Sequence, residues 1–348
     1  MPAKMILTGD VNLMNVTDAT VPFARVADEL HKADVVFSNL ECCLVETPRG
    51  HSVGNEGFFA DPDVGGEALK LAGIHAVGIA NNVHYGDANI RASIARLDAL
   101  GILHAGAGAN LAAARAPVIL ERGGIRFGFL QRSSVYWPTN HEAHEDAPGI
   151  AVIRGHTAYQ VPVGRTRAGV PPANRPGIPP EIITWADAAY LGWFKEDIAA
   201  LRPRVDVLVA SCHWGLGKDV LQYMTEIAHA AIDAGADIVV GHGPHYSLPI
   251  EVYKGKPVFY GLGNFSFHTG HGGRKHGDWV GTVVSAAASR HGIEGVAFRF
   301  VRHNECNETV PCDMAKEAEE LADIIQRSEP FGTRFATAPD QVRVELRP

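Results

Sequence analysis

Three things are missing from this chain and a fourth is scarce, and each removes a class of protein. No apolar run approaches the ~18 residues a membrane-spanning helix needs, so no membrane span is expected. Lysine and arginine nowhere cluster, and the formal net charge is -8 at pH 7. A nonspecific grip on nucleic-acid phosphates requires clustered cations, so no nucleic-acid partner is expected. Met1-Pro2-Ala3-Lys4 enters the apolar Met5-Ile6-Leu7 at once, without the charged leader, apolar core and cleavage site of a secretion signal. A cytoplasmic location is the expectation. Cysteine is sparse: Cys42, Cys43, Cys212, Cys306 and Cys312 are an odd set without zinc-finger spacing, which favours free buried thiols over a disulfide framework.

Histidine, by contrast, is abundant. Seventeen histidines outnumber the 14 phenylalanines, 8 tyrosines and 5 tryptophans, and imidazole ligates metals and moves protons near neutral pH. The rest of the composition, 46% hydrophobic and 20% charged, is that of a soluble globular protein. At roughly 150 residues per domain, 348 residues fit one large domain or two ordinary ones.

Short apolar runs alternate with helical patterns. Residues 5–8 read as a buried strand stopping at Gly9, which leaves Asp10 and Asn12 on a loop; Asp10 is there either a metal ligand or a cap. A helical pattern over 21–32 precedes a strand at 35–37 that runs out into Asn39 and Glu41. Pro62 suits the first turn of the next helix, a strand at 76–80 exits into Asn82 and His84, and a helix at 89–100 closes at Gly101. This alternation predicts a parallel sheet, and residues 118–120 with 125–130 predict a hairpin, so the sheet is mixed.

Between 133 and 180 the periodicity fades and prolines crowd. So long a stretch is functional or disordered; Trp137, His141, His144, His156 and Tyr159 favour an insertion folding over a site. Regularity returns with a helix at 190–201, a strand ending near His213 and a helix at 220–233. The β-branched run Ile238-Val239-Val240 then delivers His242 and His245 onto a loop, and a hairpin at 252–260 exits toward Asn264. One domain is expected over 1–310, with a helix at 314–327 and a loosely patterned end making up 311–348.

Five strand ends thus carry polar groups: Asp10 with Asn12, Asn39 with Glu41, Asn82 with His84, His213, and His242 with His245. In open α/β sheets ligands collect at the carboxyl ends of the strands. Acids, asparagines and histidines converging there suit a pair of divalent metals; caps and loop polar groups are the alternative. Two cations about 3.5 to 4 Å apart need a bridging anion, for which carboxylate is apt, and imidazole or amide oxygen fills the other positions. A water between them loses a proton near neutral pH and becomes a nucleophile.

Substrate contacts are expected from Asn39 and Asn264 at strand exits. The glycine-rich run 267–276, with His268 and Arg274, is either a loop for an anionic group or a solvated loop. Arg132 is a second anion candidate, with a structural ion pair as the alternative.

The runs GDVNL, SNLE, FFADPDV, ANNVHYGD, HWG, DAGADIVVGHGPH and YGLGNF stand in this order between residues 5 and 267. Together they resemble the CapA (poly-γ-glutamate capsule biosynthesis) family, related to the calcineurin-like metallophosphoesterases. The resemblance implies an α/β fold: a two-sheet α/β/β/α sandwich of metallophosphoesterase type, with mixed sheets and an irregular insertion at 133–180. It implies two divalent metal ions, Mn, Zn or Fe. One would be held by Asp10, Asn12, Glu41 and His245, the other by Glu41, Asn82, His213 and His242.

Three departures from the family pattern stand out. Val83 follows Asn82 where the family has a histidine acting as proton donor or oxyanion stabiliser, and His84 is the expected catalytic substitute. Gly217 and Lys218 stand where an acid follows HWG, and Gly243 where histidine is common. The membrane anchor usual in the capsule proteins is not seen. The expected function is a dinuclear-metal-dependent hydrolase, with metal-bound hydroxide attacking a phosphate ester or γ-glutamyl-like amide in a small-molecule or short anionic polymer substrate. The alternative, motivated by Val83, is a non-catalytic metal-binding accessory protein for poly-γ-glutamate or another acidic polymer.

Overall fold

The first strand, Ala3–Asn12, is buried almost throughout, and its side chains alternate between two cores. Ile6 joins Val36 and Val77 in a cluster with Ala68, Leu69, Ile90 and Leu97 of the helices Pro62–Leu71 and Asp87–Leu100. Met5 and Leu7 point the other way, into a cluster with Val35, Phe37, Phe127, Phe129, Val207 and Ile238. The same period of two recurs in the strand Val207–His213, where Leu208 and Ala210 face Phe194, Ile198, Met224 and Ile227 of the helices Ala188–Leu201 and Gln222–Ala234. The computed structural model that shows this describes residues 2–48, 58–160, 177, 179–267, 269 and 279–346.

The fold is mixed α/β with several mixed sheets. Along the main path of the larger sheet, ten-stranded among the described residues, lie Phe335–Thr337, Val342–Val344, Gly292–His303, Gly281–Ser289, Ala3–Asn12, Val35–Leu40, Ala76–Gly78 and Leu103–Ala105. Asn264–Phe267 pairs with Ala3–Asn12, and Thr309–Pro311 with Gly292–His303. A six-stranded sheet runs Ile250–Tyr253, Lys256–Phe259, Ile238–His242, Val207–His213, Ile125–Ser133 and Val118–Arg122. Parallel pairing brings carboxyl ends to one level: Asp10 sits opposite Asn39 and Asn264, and His213 opposite Ser133 and His242.

Several elements differ from the expectation. The first strand continues through Gly9 to Asn12 because it pairs in parallel with Asn264–Phe267, and Asp10 N–H donates to the Gly263 carbonyl at 2.9 Å. That approach needs glycine: a Cβ on Gly9 would lie 1.9 Å from the Gly263 oxygen. The helix expected over 21–32 shrinks to Ala27–Leu30, although Phe23, Val26 and Leu30 are buried; their spacing reports burial, not helix. Within 133–180 lie the strands Gly149–Ile150 and Gly155–Gln160, the latter paired with Glu181–Ala186. Residues 161–176 and 178 fall outside those described. The loosely patterned tail adds Phe335–Thr337 and Val342–Val344 to the larger sheet, with Val342 and Val344 buried. No helix of the described residues is long and apolar enough to cross a membrane.

Phe37 of the larger sheet stacks on Phe129 of the smaller, ring centroids 4.9 Å apart and both rings fully buried. Phe129→Ala is therefore expected to cost about 3–5 kcal/mol in denaturant unfolding. A loss under about 1 kcal/mol would contradict a core shared by the two sheets.

Candidate metal centre

Asp10 is fully buried and held from several sides. Asn39 Nδ2 donates to its Oδ1 at 2.8 Å, and the Gly243 N–H points at its Oδ2 from 3.4 Å. His242 Nδ1 lies 3.2 Å from Oδ1 and His245 Nδ1 lies 3.3 Å from Oδ2. Burial alone pushes the Asp10 carboxyl up, but the contacts and charge of His242 and His245 outweigh it and hold it well below the usual carboxylate range.

Glu41 is buried equally deeply and has no such support. Among the described residues neither of its carboxylate oxygens has a hydrogen-bond partner. Oε1 faces His213 Nε2 at 3.6 Å and His245 Nε2 at 3.8 Å. Ser133 sets the His213 tautomer: its Oγ donates to the Val135 carbonyl at 2.6 Å and lies 3.3 Å from His213 Nδ1. With its proton so committed, Ser133 Oγ accepts from Nδ1–H, leaving a lone pair on Nε2 toward Glu41. An acceptor then faces an acceptor in a buried site, which a cation between them resolves.

Asp10, Glu41 and His245 offer ligand atoms that all lie within 4.8 Å of one another. The His245 imidazole is pushed down by burial but raised further by the Glu41 charge and by its bonds to Asp10 and Asn264, ending at about 9. The site thus draws positive charge. Gly243, where the family often has histidine, has φ of 103°, and a Cβ there would lie 3.0 Å from His213 Cε1 and Nε2. The His213 ring occupies the space a side chain would need.

Of the residues expected from sequence, the structure brings Asp10, Glu41, His213, His242 and His245 together. Asn12 is adjacent, but its amide is spent on backbone: Nδ2 donates to the Thr269 carbonyl at 2.7 Å, and Oδ1 accepts from Met14 N–H at 2.9 Å. Asn82 is half-buried and lines a cleft with Tyr85 and Trp137. Its neighbour Asn81 enters the network instead, donating to the Leu40 carbonyl at 2.8 Å and to Asn39 Oδ1 at 3.3 Å.

Asn39, expected as a substrate contact, is fully buried; it donates to Asp10, and its Oδ1 accepts from Gln131 Nε2 at 3.0 Å. Asn264 likewise faces the protein, its Oδ1 lying 3.0 Å from His245 Nδ1. Arg132, expected as an anion contact or a structural ion pair, is buried, paired with Asp197, and donates to the Gln131 carbonyl at 2.8 Å. His84 is fully buried beside Asn81, with Nδ1 3.0 Å from Asn81 Oδ1 and its carbonyl accepting from His141 Nε2 at 2.9 Å. Burial pushes its imidazole down to about 3, so it is neutral at physiological pH and has no proton to give as an imidazolium. His268 and Arg274 lie outside the described residues.

Ser133, Asn81 and Gln131 were missed. The signal for Ser133 was present, since the strand read as ending at residue 130 runs on to a polar end opposite His213. For Asn81 the Asn81-Asn82 doublet offers two equivalent amides, and no spacing separates them.

The family model described as bacterial capsule synthesis protein PGA_cap matches residues 4–269, which include every side chain gathered around Asp10 and Glu41. The chain is 27% identical over 286 residues to uncharacterized protein y4sH of Sinorhizobium fredii, covering 70% of this chain and 61% of that protein. It is 31% identical over 204 residues to a probable polyglutamine synthesis accessory protein of Mycobacterium tuberculosis, covering 57% and 46%. It is 36% identical over 132 residues to PGA biosynthesis protein CapA of Bacillus subtilis, covering 37% and 33%. The chain therefore spans 61% or less of the length of these relatives. With three quarters of its residues matched, it belongs to the bacterial capsule synthesis protein PGA_cap family.

Proposed function

We propose that this protein is a metal-dependent hydrolase that holds two divalent cations at its strand ends and acts on a phosphate ester or a γ-glutamyl-like amide. The observation that carries the reading is Glu41, a buried carboxylate without a hydrogen-bond donor among the described residues, facing imidazole nitrogens. Asp10, Glu41 and His245 would hold one cation, and Glu41, His213 and His242 the other, with Glu41 shared. The core common to both sheets, with helices packed on the far side of each, supports the four-layer sandwich of the metallophosphoesterases.

Bound here, Mn, Zn or Fe would supply Lewis acidity and lower the pKa of water toward neutrality. The chain supplies the rest. Asn39 and the Gly243 N–H orient Asp10, Ser133 fixes the tautomer of His213, and Asn264 holds His245. Neutral, buried His84 positions Asn81 and is not a proton donor in this reading. Poly-γ-glutamate enters as a substrate class through the family resemblance in the sequence, alongside a relative named for PGA biosynthesis.

A second reading, an accessory protein that binds metal without turnover, is favoured by that same absence of an acid at Val83 and His84, and by the accessory role in one relative's name. Turnover on a panel of phosphoesters and γ-glutamyl amides, abolished by chelation and restored by Mn, Zn or Fe, separates the two.

Glu41→Gln is expected to lower bound metal from two ions per chain to one or none by elemental analysis, and to cut turnover by a hundredfold or more. Wild-type protein without stoichiometric metal would sink the reading. A proton on His245, whose pKa is about 9, must leave before a cation binds. In chelated protein, metal affinity should rise about tenfold per pH unit from pH 6 and level off above about 9. An affinity independent of pH between 6 and 8 would contradict that assignment of His245.

A further inference from the structure

We propose that Arg327 is a positioning residue for the metal centre, its guanidinium clamping together the two loops that follow His213 and His245. The inference rests on the metal-binding part of the reading above and adds a residue beyond the family-matched stretch 4–269. Arg327 lies in the last turn of the helix Ala318–Ser328. Its Nε donates to Asp323 Oδ2 one turn back, its Nη1 to the Lys218 carbonyl and its Nη2 to the Ser247 carbonyl, each at 2.9 Å. Lys218 stands five residues past His213 and Ser247 two past His245, so one planar group spans two loops from different strands.

Both loops need an outside constraint. His245 has φ of 63°, the left-handed region, which a residue with a Cβ keeps only when its surroundings over-determine it. Ser247, two residues on, is pinned by Arg327 and by its own Oγ, which donates to the Val280 carbonyl at 2.9 Å. The other loop has positive φ at Gly215 and Gly217, and Leu216 between them is 82% exposed. Gly215 N–H donates to Tyr223 Oη at 2.6 Å, but past it little burial holds the backbone as far as Lys218, and glycine leaves Gly217 conformationally free. The bond from Arg327 to the Lys218 carbonyl fixes it.

The helix is itself anchored, so the clamp has a fixed base. Ser328 Oγ accepts from Ile250 N–H at 2.9 Å, Thr333 Oγ1 donates to the Ile250 carbonyl at 2.7 Å, and the Phe331 ring lies 5.4 Å from that of Tyr260. Asp323 neutralises the guanidinium and sets its plane. Lysine cannot replace it fully, because an ammonium lacks the planar fork that reaches two carbonyls and a carboxylate at once.

The test is Co(II) titration of the full chain, read by visible absorption well below the unfolding temperature, in wild type, Arg327→Met, Arg327→Lys and Arg302→Met. Arg302 pairs with Glu317 at the start of the same helix, so Arg302→Met weakens the helix at its other end. Arg327→Met should weaken Co(II) binding about tenfold or more and change the absorption bands, with Arg327→Lys intermediate. Arg302→Met should bind as wild type even where its melting temperature falls. Wild-type affinity in Arg327→Met overturns the inference, as does an equal loss in Arg302→Met. Should Arg327→Met fail to fold, wild-type affinity in Arg327→Lys overturns it. If wild type takes up no Co(II), the metal-centre reading falls and the clamp with it. Co(II) binding without hydrolysis removes only the hydrolase reading and leaves the clamp to be decided by the variants.

Discussion

A carboxylate buried without a hydrogen-bond donor is the constraint on which this structure turns. Glu41 is 1% exposed, and no donor among the described residues reaches either oxygen. An ion so placed costs on the order of several kcal/mol unless a countercharge meets it. Asp10, about as deeply buried, shows the contrast, because Asn39, Gly243, His242 and His245 surround it. The His245 imidazole, pushed down by burial but raised to about 9 chiefly by the Glu41 charge, faces Glu41 Oε1 at 3.8 Å, and in the proposed reading a cation takes over that countercharge. Parallel register levels the ends of Ala3–Asn12 and Val35–Leu40 in one sheet and of Val207–His213 and Ile238–His242 in the other, and the contacts of His242 with Asp10 and of His213 with Glu41 join the two sets.

Holding that arrangement takes backbone features a smooth sheet would not have. Gly9 lets the first strand touch the Gly263 carbonyl, Gly243 gives way to the His213 ring, and His245 adopts a left-handed φ. Residues behind the centre absorb these demands: Ser133 and Asn264 orient imidazoles, and Gln131 links Asn39 to Ser211. The helix carrying Arg327 extends this support past residue 269, where the match to the family ends. Lys218, in place of the acid usual after HWG, contributes its carbonyl to that support.

Much of this was legible in the sequence. Runs of two-residue period and the polar groups just past them identify the strands and five of the residues that meet, because reaching the end of a strand is a property of spacing. The direction a side chain takes beyond the last ladder bond is not. Asn12 turns to the Thr269 carbonyl, Asn81 rather than Asn82 enters the network, and His84 folds back onto Asn81. Each is decided by a partner distant in sequence or by a choice between identical amides. Arg132 illustrates the same limit, since its pairing with Asp197 depends on a helix 65 positions away. Residues 21–32 failed differently: apolar spacing there serves burial in a mostly irregular segment.

The central claim is that Glu41 joins two cations, with His242 and His245 on different ions. Anomalous diffraction from crystals grown with Mn(II) tests it most directly. The account predicts two peaks about 3.5 to 4 Å apart, Glu41 between them, His245 on one and His242 with His213 on the other. A single peak carrying both His242 and His245, or no peak within reach of Glu41, would contradict it.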